Sequence, residues 1–207
     1  NLAGTSRRAG GRPGTEEAVV VLHHQVRPVT IKVVTRVDGT PVLVRYLEIT
    51  NTGNQPAALG HISPWSGGFW NTNDVPQPFA NKNRNPAFEE REGRSKFSLG
   101  YLADDDWGLE GSFTWQPLPK EHFRIERTEH GRPFGSPYYI LRNEATGELF
   151  FLGLAWGGNL FAEFAYRHDS VLSFRIGPLA PAPLRLIAPG ETVIDRKSTR
   201  LNSSHRT

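Results

Sequence analysis

The carboxylates Asp104, Asp105 and Asp106 stand side by side before Trp107 in "DDDW". Adjacent carboxylates can ligate Ca²⁺ or divide general acid and base work between them. The EF-hand spacing is absent, however, and glycosidase chemistry needs its two carboxyl groups on opposite sides of a scissile bond. A solvated turn before a strand suits "DDDW" better. His23 and His24 in "LHHQV" are neighbours on a strand-like run, where successive side chains point to opposite faces, so they do not share one metal. His61, His122, His130 and His168 show no metal-binding spacing, and neither a G-x-S-x-G elbow nor a phosphate loop occurs. No catalytic residue, cofactor or metal site is expected in this chain.

Trp65, Phe69, Trp70 and Asp74 in "PWSGGFWNTND" are a different kind of group. The apolar C–H face of a pyranose stacks on an aromatic ring while its hydroxyls need fixed hydrogen-bond partners, and aromatic rings next to Asn and Asp supply both. The same rings could instead fold over the body of the protein and bury themselves. From the residues alone, the two readings stand level.

The elements that would position these groups are strands. "AVVVLHHQV", "VTIKVVTRV" and "PVLVRYLEIT" are β-branched runs, with Pro28 breaking the first pair and the "DGT" turn of Asp38–Thr40 joining the next. Val42–Thr50 carries apolar groups at both parities, which predicts a strand buried on both faces. Residues 63–96 read as one long irregular loop, rich in Asn, Pro and aromatic residues. Loops of that length tend to be functional or disordered, and the aromatic content argues against disorder. Strands resume in "GSFTWQ", "HFRIERT", "YYILRN", "ELFFLGLAW", "LFAEFAYR", "VLSFRI" and "PLRLIA", joined by short connectors rich in Gly, Asn and Asp. No helical period of useful length and no internal repeat is found. The fold class expected is all-β, a large antiparallel β-sandwich spanning residues 17–194. Residues 1–16, opening with "NLAGTSRRAGGRPGT", lack an apolar period and are expected to be a disordered lead-in.

The terminal stretch "DRKSTRLNSSHRT" is expected to be no part of that domain. Asp195–His205 translates, in frame, the read-through of a common short-read sequencing adapter, so residues 195–207 are expected to be non-natural and to add nothing to fold or function. Removing them changes the charge argument. The chain has 24 Lys and Arg against 21 Asp and Glu; four of the basic residues and one acidic residue lie in 195–207, leaving twenty of each sign. No basic surplus remains for nucleic acid or an anionic membrane surface. No apolar run approaches the roughly 18 residues of a membrane span. The sequence contains no Met, which leads one to expect truncation at the front as well. It contains no Cys, which excludes disulfides within it and leaves the compartment unknown, with the cytoplasm slightly favoured.

From about Val29 onward the order of motifs resembles the N-terminal β-sandwich domain of glycoside hydrolase family 36, the bacterial α-galactosidase type. "VLVRYLEITNTGNQP" carries the likeness first. "DWGLE" at Asp106–Glu110 then stands where that family has a Trp-x-x-Glu segment, followed by "GRPFGSPYYILRN", "GELFFLGLAWGGNLFAEF" and "IAPGETV". The resemblance implies a supersandwich of the galactose mutarotase-like kind. It also implies a parent enzyme that acts on an α-galactoside or related oligosaccharide by a retaining mechanism. The aspartate nucleophile and acid/base of that enzyme lie in a (β/α)8 barrel absent from this chain. Trp65, Trp70, Asp74, Asp106 and Trp107 are then expected near the substrate of the parent enzyme, and homo-oligomerisation stays open. Two departures stand out: the stretch from Trp65 to Lys96 is longer than the family's usual connection, and the acidic residue often found just before the Trp-x-x-Glu segment has no clear equivalent. The alternatives are a stand-alone carbohydrate-binding sandwich and a mutarotase-like enzyme, the latter needing a His and a carboxylate that converge on one sugar ring.

Overall fold

The computed structural model describes residues 1–10, 13–24, 26–70, 88–89, 94–103, 111–119, 121–127, 137–156, 158–166, 171–179, 183–194 and 200–203. These residues form β-strands and no helix. The first strands are Leu2–Ala9 (β1), Glu16–His23 (β2), Val29–Val37 (β3), Val42–Asn51 (β4), Ala57–Leu59 (β5) and Trp65–Trp70 (β6). Next come Phe88–Glu89 (β7), Arg94–Ser95 (β8), Phe97–Leu102 (β9), Phe113–Pro117 (β10), His122–Arg127 (β11) and Tyr138–Asn143 (β12). The last are Leu149–Gly153 (β13), Leu160–Tyr166 (β14), Val171–Pro178 (β15), Arg185–Ile187 (β16), Thr192–Ile194 (β17) and Arg200–Ser203 (β18).

Two antiparallel sheets face each other. The larger has ten strands in the order β1-β2-β3-β4-β18-β13-β12-β9-β10, with β17 also on β4; the smaller runs β11-β14-β15-β6. Period-two alternation decides what lies between them. In the larger sheet Leu99, Leu141 and Phe150 share one register row and Tyr139 and Leu152 another. In the smaller, Phe123, Phe164, Phe174 and Gly67 form one row and Ile125, Ala162, Ile176 and Trp65 the next. These rows meet in the main core, where Phe97, Leu99, Leu141, Leu152, Leu160, Ala162, Leu172 and Ile176 are wholly buried. Burying each large apolar side chain is worth about 1.5–3 kcal/mol, whereas an exposed ion pair is worth about 0–1 kcal/mol, so these rows fix the register. A second core of Leu47, Ile49 and Ile187 lies under β3 and β4, closed by Ile31, Val33, Leu59, Ile62 and Val193. The pair β5 and β16 covers it.

The turns follow their residues. Gly39 takes φ +82° between β3 and β4, a conformation that costs glycine little, and Asp38 Oδ1 accepts the Thr40 N–H at 3.1 Å. Asn51, wholly buried, ties the "NTGNQP" turn to the second core. Its Nδ2 donates to the carbonyls of Gln55 (2.7 Å) and Ile187 (3.0 Å), and its Oδ1 accepts the Gly53 N–H at 2.9 Å. The first Asn of that turn is therefore structural.

Several expectations are corrected. Residues 2–9 are not a disordered lead-in, because β1 pairs along β2 from Leu2 to Ala9. Both faces of β1 are largely exposed, so no apolar period betrays it. Its ladder and the Arg8–Glu17 bond at 2.8 Å hold it instead. The loop expected over 63–96 contains β6, a full member of the smaller sheet. The strand β9, absent from the runs picked out by sequence, sits mid-sheet between β10 and β12. β4 is half covered rather than buried on both faces, with Leu47, Ile49 and Asn51 buried but Val42, Val44 and Tyr46 only partly so. Finally, residues 200–203 do not lie outside the fold, because β18 pairs with both β4 and β13.

Candidate functional site

β6 forms one edge of the smaller sheet, with Trp65 opposite Ile176 and Trp70 opposite Val171. Gly67 opposes Phe174, and a Cβ there would come within 3.1 Å of that ring. A glycine at this position lets the Phe174 side chain lie close over the strand. Phe174 stacks on Phe69 at 5.0 Å and lies 6.2 Å from Trp65. The aromatic stretch is thus organised from within by Phe174.

The two tryptophans expected near a sugar stand at the two ends of β6. Trp65 is 3% exposed and belongs to the main core, which leaves no ring face for a sugar. Its expected place near a substrate is corrected, and the burial reading, left level by the sequence, holds for this residue. Trp70 ends the strand, and Asp74, Asp106 and Trp107 lie outside the described residues, as do Asp104 and Asp105.

Arg45, a residue that sequence reasoning passed over, reaches Trp65 from β4. Its guanidinium carbon sits 4.6 Å from the centre of the Trp65 ring, its Nε donates to Thr35 Oγ1 at 3.0 Å, and its Nη1 reaches the Ser66 carbonyl at 3.5 Å. Burial lowers its pKa from the ordinary arginine value, because removal from water disfavours the charged form. Among the described residues no carboxylate pairs with it, and the buried Trp65 Nε1 has no hydrogen-bond partner. The only sequence signal was a cation at an inward parity of a β-branched strand.

The outer face of the smaller sheet carries a charge cluster. Arg124, Glu163, Arg175 and Ser66 share one register row. Glu163 accepts from Arg124 Nη1 at 2.8 Å and Arg175 Nη2 at 2.5 Å, and its carboxylate lies 3.1 Å from His122 Nε2. Burial pushes the Glu163 carboxyl upward, but the bonds from Arg175, His122 and Arg124 together outweigh it and hold the carboxyl below its usual value. Such a carboxylate is a poor base, because its lone pairs are engaged and its charged form is the stabilised one. His122 and Glu163 therefore converge as a mutarotase-like enzyme would require, without the free acceptor that its chemistry needs. His24 serves the β2–β3 turn, with Nδ1 facing the N–H groups of Val26 (3.2 Å) and Arg27 (3.0 Å).

No family model matches the sequence, and no curated protein matches it. Solved structures do. The galactosidase domain of the α-galactosidase–sucrose kinase AgaSK superposes with a TM-score of 0.74 at 15% identity, over 98% of this chain and 27% of that one. The family 36 α-galactosidase AgaA of Geobacillus stearothermophilus gives 0.74 at 15% identity, over 100% of this chain and 28% of its own. A putative aldose 1-epimerase of Escherichia coli K12 gives 0.51 at 13% identity, over 98% of this chain and 69% of that one. The chain thus spans little more than a quarter of the α-galactosidases it superposes on. The antiparallel sandwich expected from the strand pattern is the fold observed, and the chain has the β-sandwich found within family 36 α-galactosidases, the family its motifs resemble.

Proposed function

We propose that this chain is the N-terminal, non-catalytic β-sandwich domain of an α-galactosidase-type glycoside hydrolase, positioned against a catalytic barrel that it does not contain. The observation that carries this reading is the superposition of nearly the whole chain on 27–28% of α-galactosidase chains. The motif order from Val29 supports it independently. Geobacillus AgaA variants were solved with stachyose and with raffinose, so an α-galactosyl oligosaccharide is the substrate class proposed for the parent enzyme. Trp70, Asp74, Asp106 and Trp107 remain the residues proposed to lie near that sugar, and Trp65 leaves the set because it is buried. The role of the sandwich would be to hold such residues in place on a rigid double sheet.

The test has two arms. The chain as it stands should turn over no aryl α-galactoside, since a retaining mechanism needs two positioned carboxyl groups; turnover that scales with protein concentration would overturn the reading. The genomic sequence downstream of the codon for Val193 should encode a (β/α)8 barrel whose fusion to the sandwich restores hydrolysis. Calorimetric binding of raffinose to the chain alone, with no barrel encoded downstream, would favour a stand-alone carbohydrate-binding sandwich instead.

A further inference from the structure

The larger sheet contains a join that no two of its earlier strands make directly. β4 and β13 are not neighbours; β18 lies between them and pairs antiparallel with both. On one side Arg200 is opposite Val44, Leu201 opposite Leu43 and Asn202 opposite Val42. On the other, Arg200 is opposite Gly153, Leu201 opposite Leu152, Asn202 opposite Phe151 and Ser203 opposite Phe150. Because β3 covers the far edge of β4, β17 and β18 must follow the same edge, β17 at Glu48–Thr50 and β18 at Val42–Val44. Without β18, the β1–β4 half of the sheet and the β13-β12-β9-β10 half would each end in an open ladder.

Two open ladders one strand apart form a receptor for one extended segment. Every backbone N–H and C=O of that segment then has a partner on one side or the other. Such strand addition takes its affinity from main-chain hydrogen bonds and its specificity from alternate side-chain positions. We propose that the seam between β4 and β13 is a strand-acceptor site and that Arg200–Ser203 is the segment occupying it in this chain. The identity of the occupant is informative. These residues belong to the stretch expected from the sequence to be adapter-encoded, with no side-chain pattern selected for this fold, and a backbone-reading slot can accept such a segment. Position 201 falls in the row of Leu152, wholly buried, and Leu43, packed against the main core, and position 203 falls in the row of Phe150, which packs against the same core, so the register makes its side-chain demands at these two positions. This inference rests on strand order alone and stands whether or not the parent protein hydrolyses galactosides.

Amide hydrogen exchange on the full chain tests it. The amides of Val42–Val44 and Phe150–Gly153 should exchange as slowly as those of Ile140 and Leu141 in the mid-sheet strand β12. Exchange at the rate of an exposed turn would overturn the proposal without any variant. Leu201→Pro cannot donate to a ladder, and it should speed exchange by about tenfold or more at those two segments while leaving β14 and β15 unchanged. Unaltered exchange in a folded Leu201→Pro chain overturns the proposal. Replacing the segment together as Arg200→Lys, Leu201→Val, Asn202→Thr and Ser203→Thr should keep the slow exchange. Loss of protection there would overturn the backbone-reading claim. Should Leu201→Pro fail to fold, the unsubstituted chain and the fourfold replacement still decide.

Discussion

Two arginine–tryptophan pairs, on opposite faces of the larger sheet, make almost the same contact in different surroundings. Arg45 lies 4.6 Å from the Trp65 ring centre and Arg142 lies 4.3 Å from that of Trp115. Trp65 is 3% exposed and Trp115 36%. Arg142 also has a carboxylate, with Glu144 Oε1 2.8 Å from its Nε, whereas no acid partners Arg45 among the described residues. Trp115 packs edge-on to the exposed Phe113, 5.5 Å away, and both rings hang over Gly100, where a Cβ would meet them at 3.0 and 2.5 Å. The outer pair is a surface cover over a glycine; the inner pair is part of the wall between the sheets. A cation over a ring is worth about 0.5–1 kcal/mol when exposed and about 2 kcal/mol or more when desolvated, so surroundings rather than geometry should rank the two.

The largest expected effect breaks the comparison at its rings. Trp65→Ala removes a buried indole that touches the main core and should cost about 3–5 kcal/mol. For a chain of this size that lowers the thermal midpoint by on the order of 10 °C. Trp115→Ala removes a ring already one-third in water and should cost about 1 kcal/mol or less. Equal shifts in thermal unfolding for the two variants would show that Trp65 is not in the core.

The cations come next. Arg45→Ala should cost about 2 kcal/mol, because it strips a desolvated cation and its packed stem from the Trp65 face. Arg142→Ala should cost about 0.5–1 kcal/mol, as expected for an exposed contact. Urea unfolding of both variants checks the order. A larger loss at Arg142 would mean that its bond to Glu144, rather than burial, dominates such pairs.

The contrast between the two faces also explains what could be read from the sequence. The sandwich was legible because β2, β3, β12, β14 and β15 are β-branched or aromatic runs bounded by turn residues such as Pro28, Gly39 and Asn143. β1 was not, since Arg7, Arg8 and small residues give no alternation when neither face is buried; an edge strand held by its ladder has no apolar signature. β6 was hidden by Gly67 and Gly68, which remove side chains at the places where Phe174 and Val171 come close. Tryptophan at position 65 fitted both a sugar platform and a core wall. Parity decided between them only once β6 was known to be a strand. Arg45 and the Glu163 cluster were invisible for a related reason: partners 21 and 39 residues away in sequence meet only through sheet register.

The smallest expected effect separates a cation held by burial from an anion held by bonds. Glu163 lies among Arg124, Arg175 and His122 on the outer face, and Glu126 shares Arg124 at 2.7 Å. Its carboxyl is held below the unfolded value near 4.5 because the three donors outweigh the desolvation that opposes them. A group whose folded pKa is depressed stabilises the fold above its unfolded pKa and loses that contribution as pH falls through the folded one. Glu163→Gln should therefore be less stable than the unsubstituted chain at pH 7 by under about 1 kcal/mol, since partly exposed ion pairs contribute little. The gap should close steadily below pH 4.5, as the native carboxyl takes up its proton. Arg45→Ala should show no such closure, because an arginine stays charged throughout that range. Thermal midpoints of the three proteins between pH 7 and pH 3 test this. A Glu163→Gln deficit that persists unchanged at pH 3 would assign the loss to packing or hydrogen-bond geometry rather than to the carboxylate's charge.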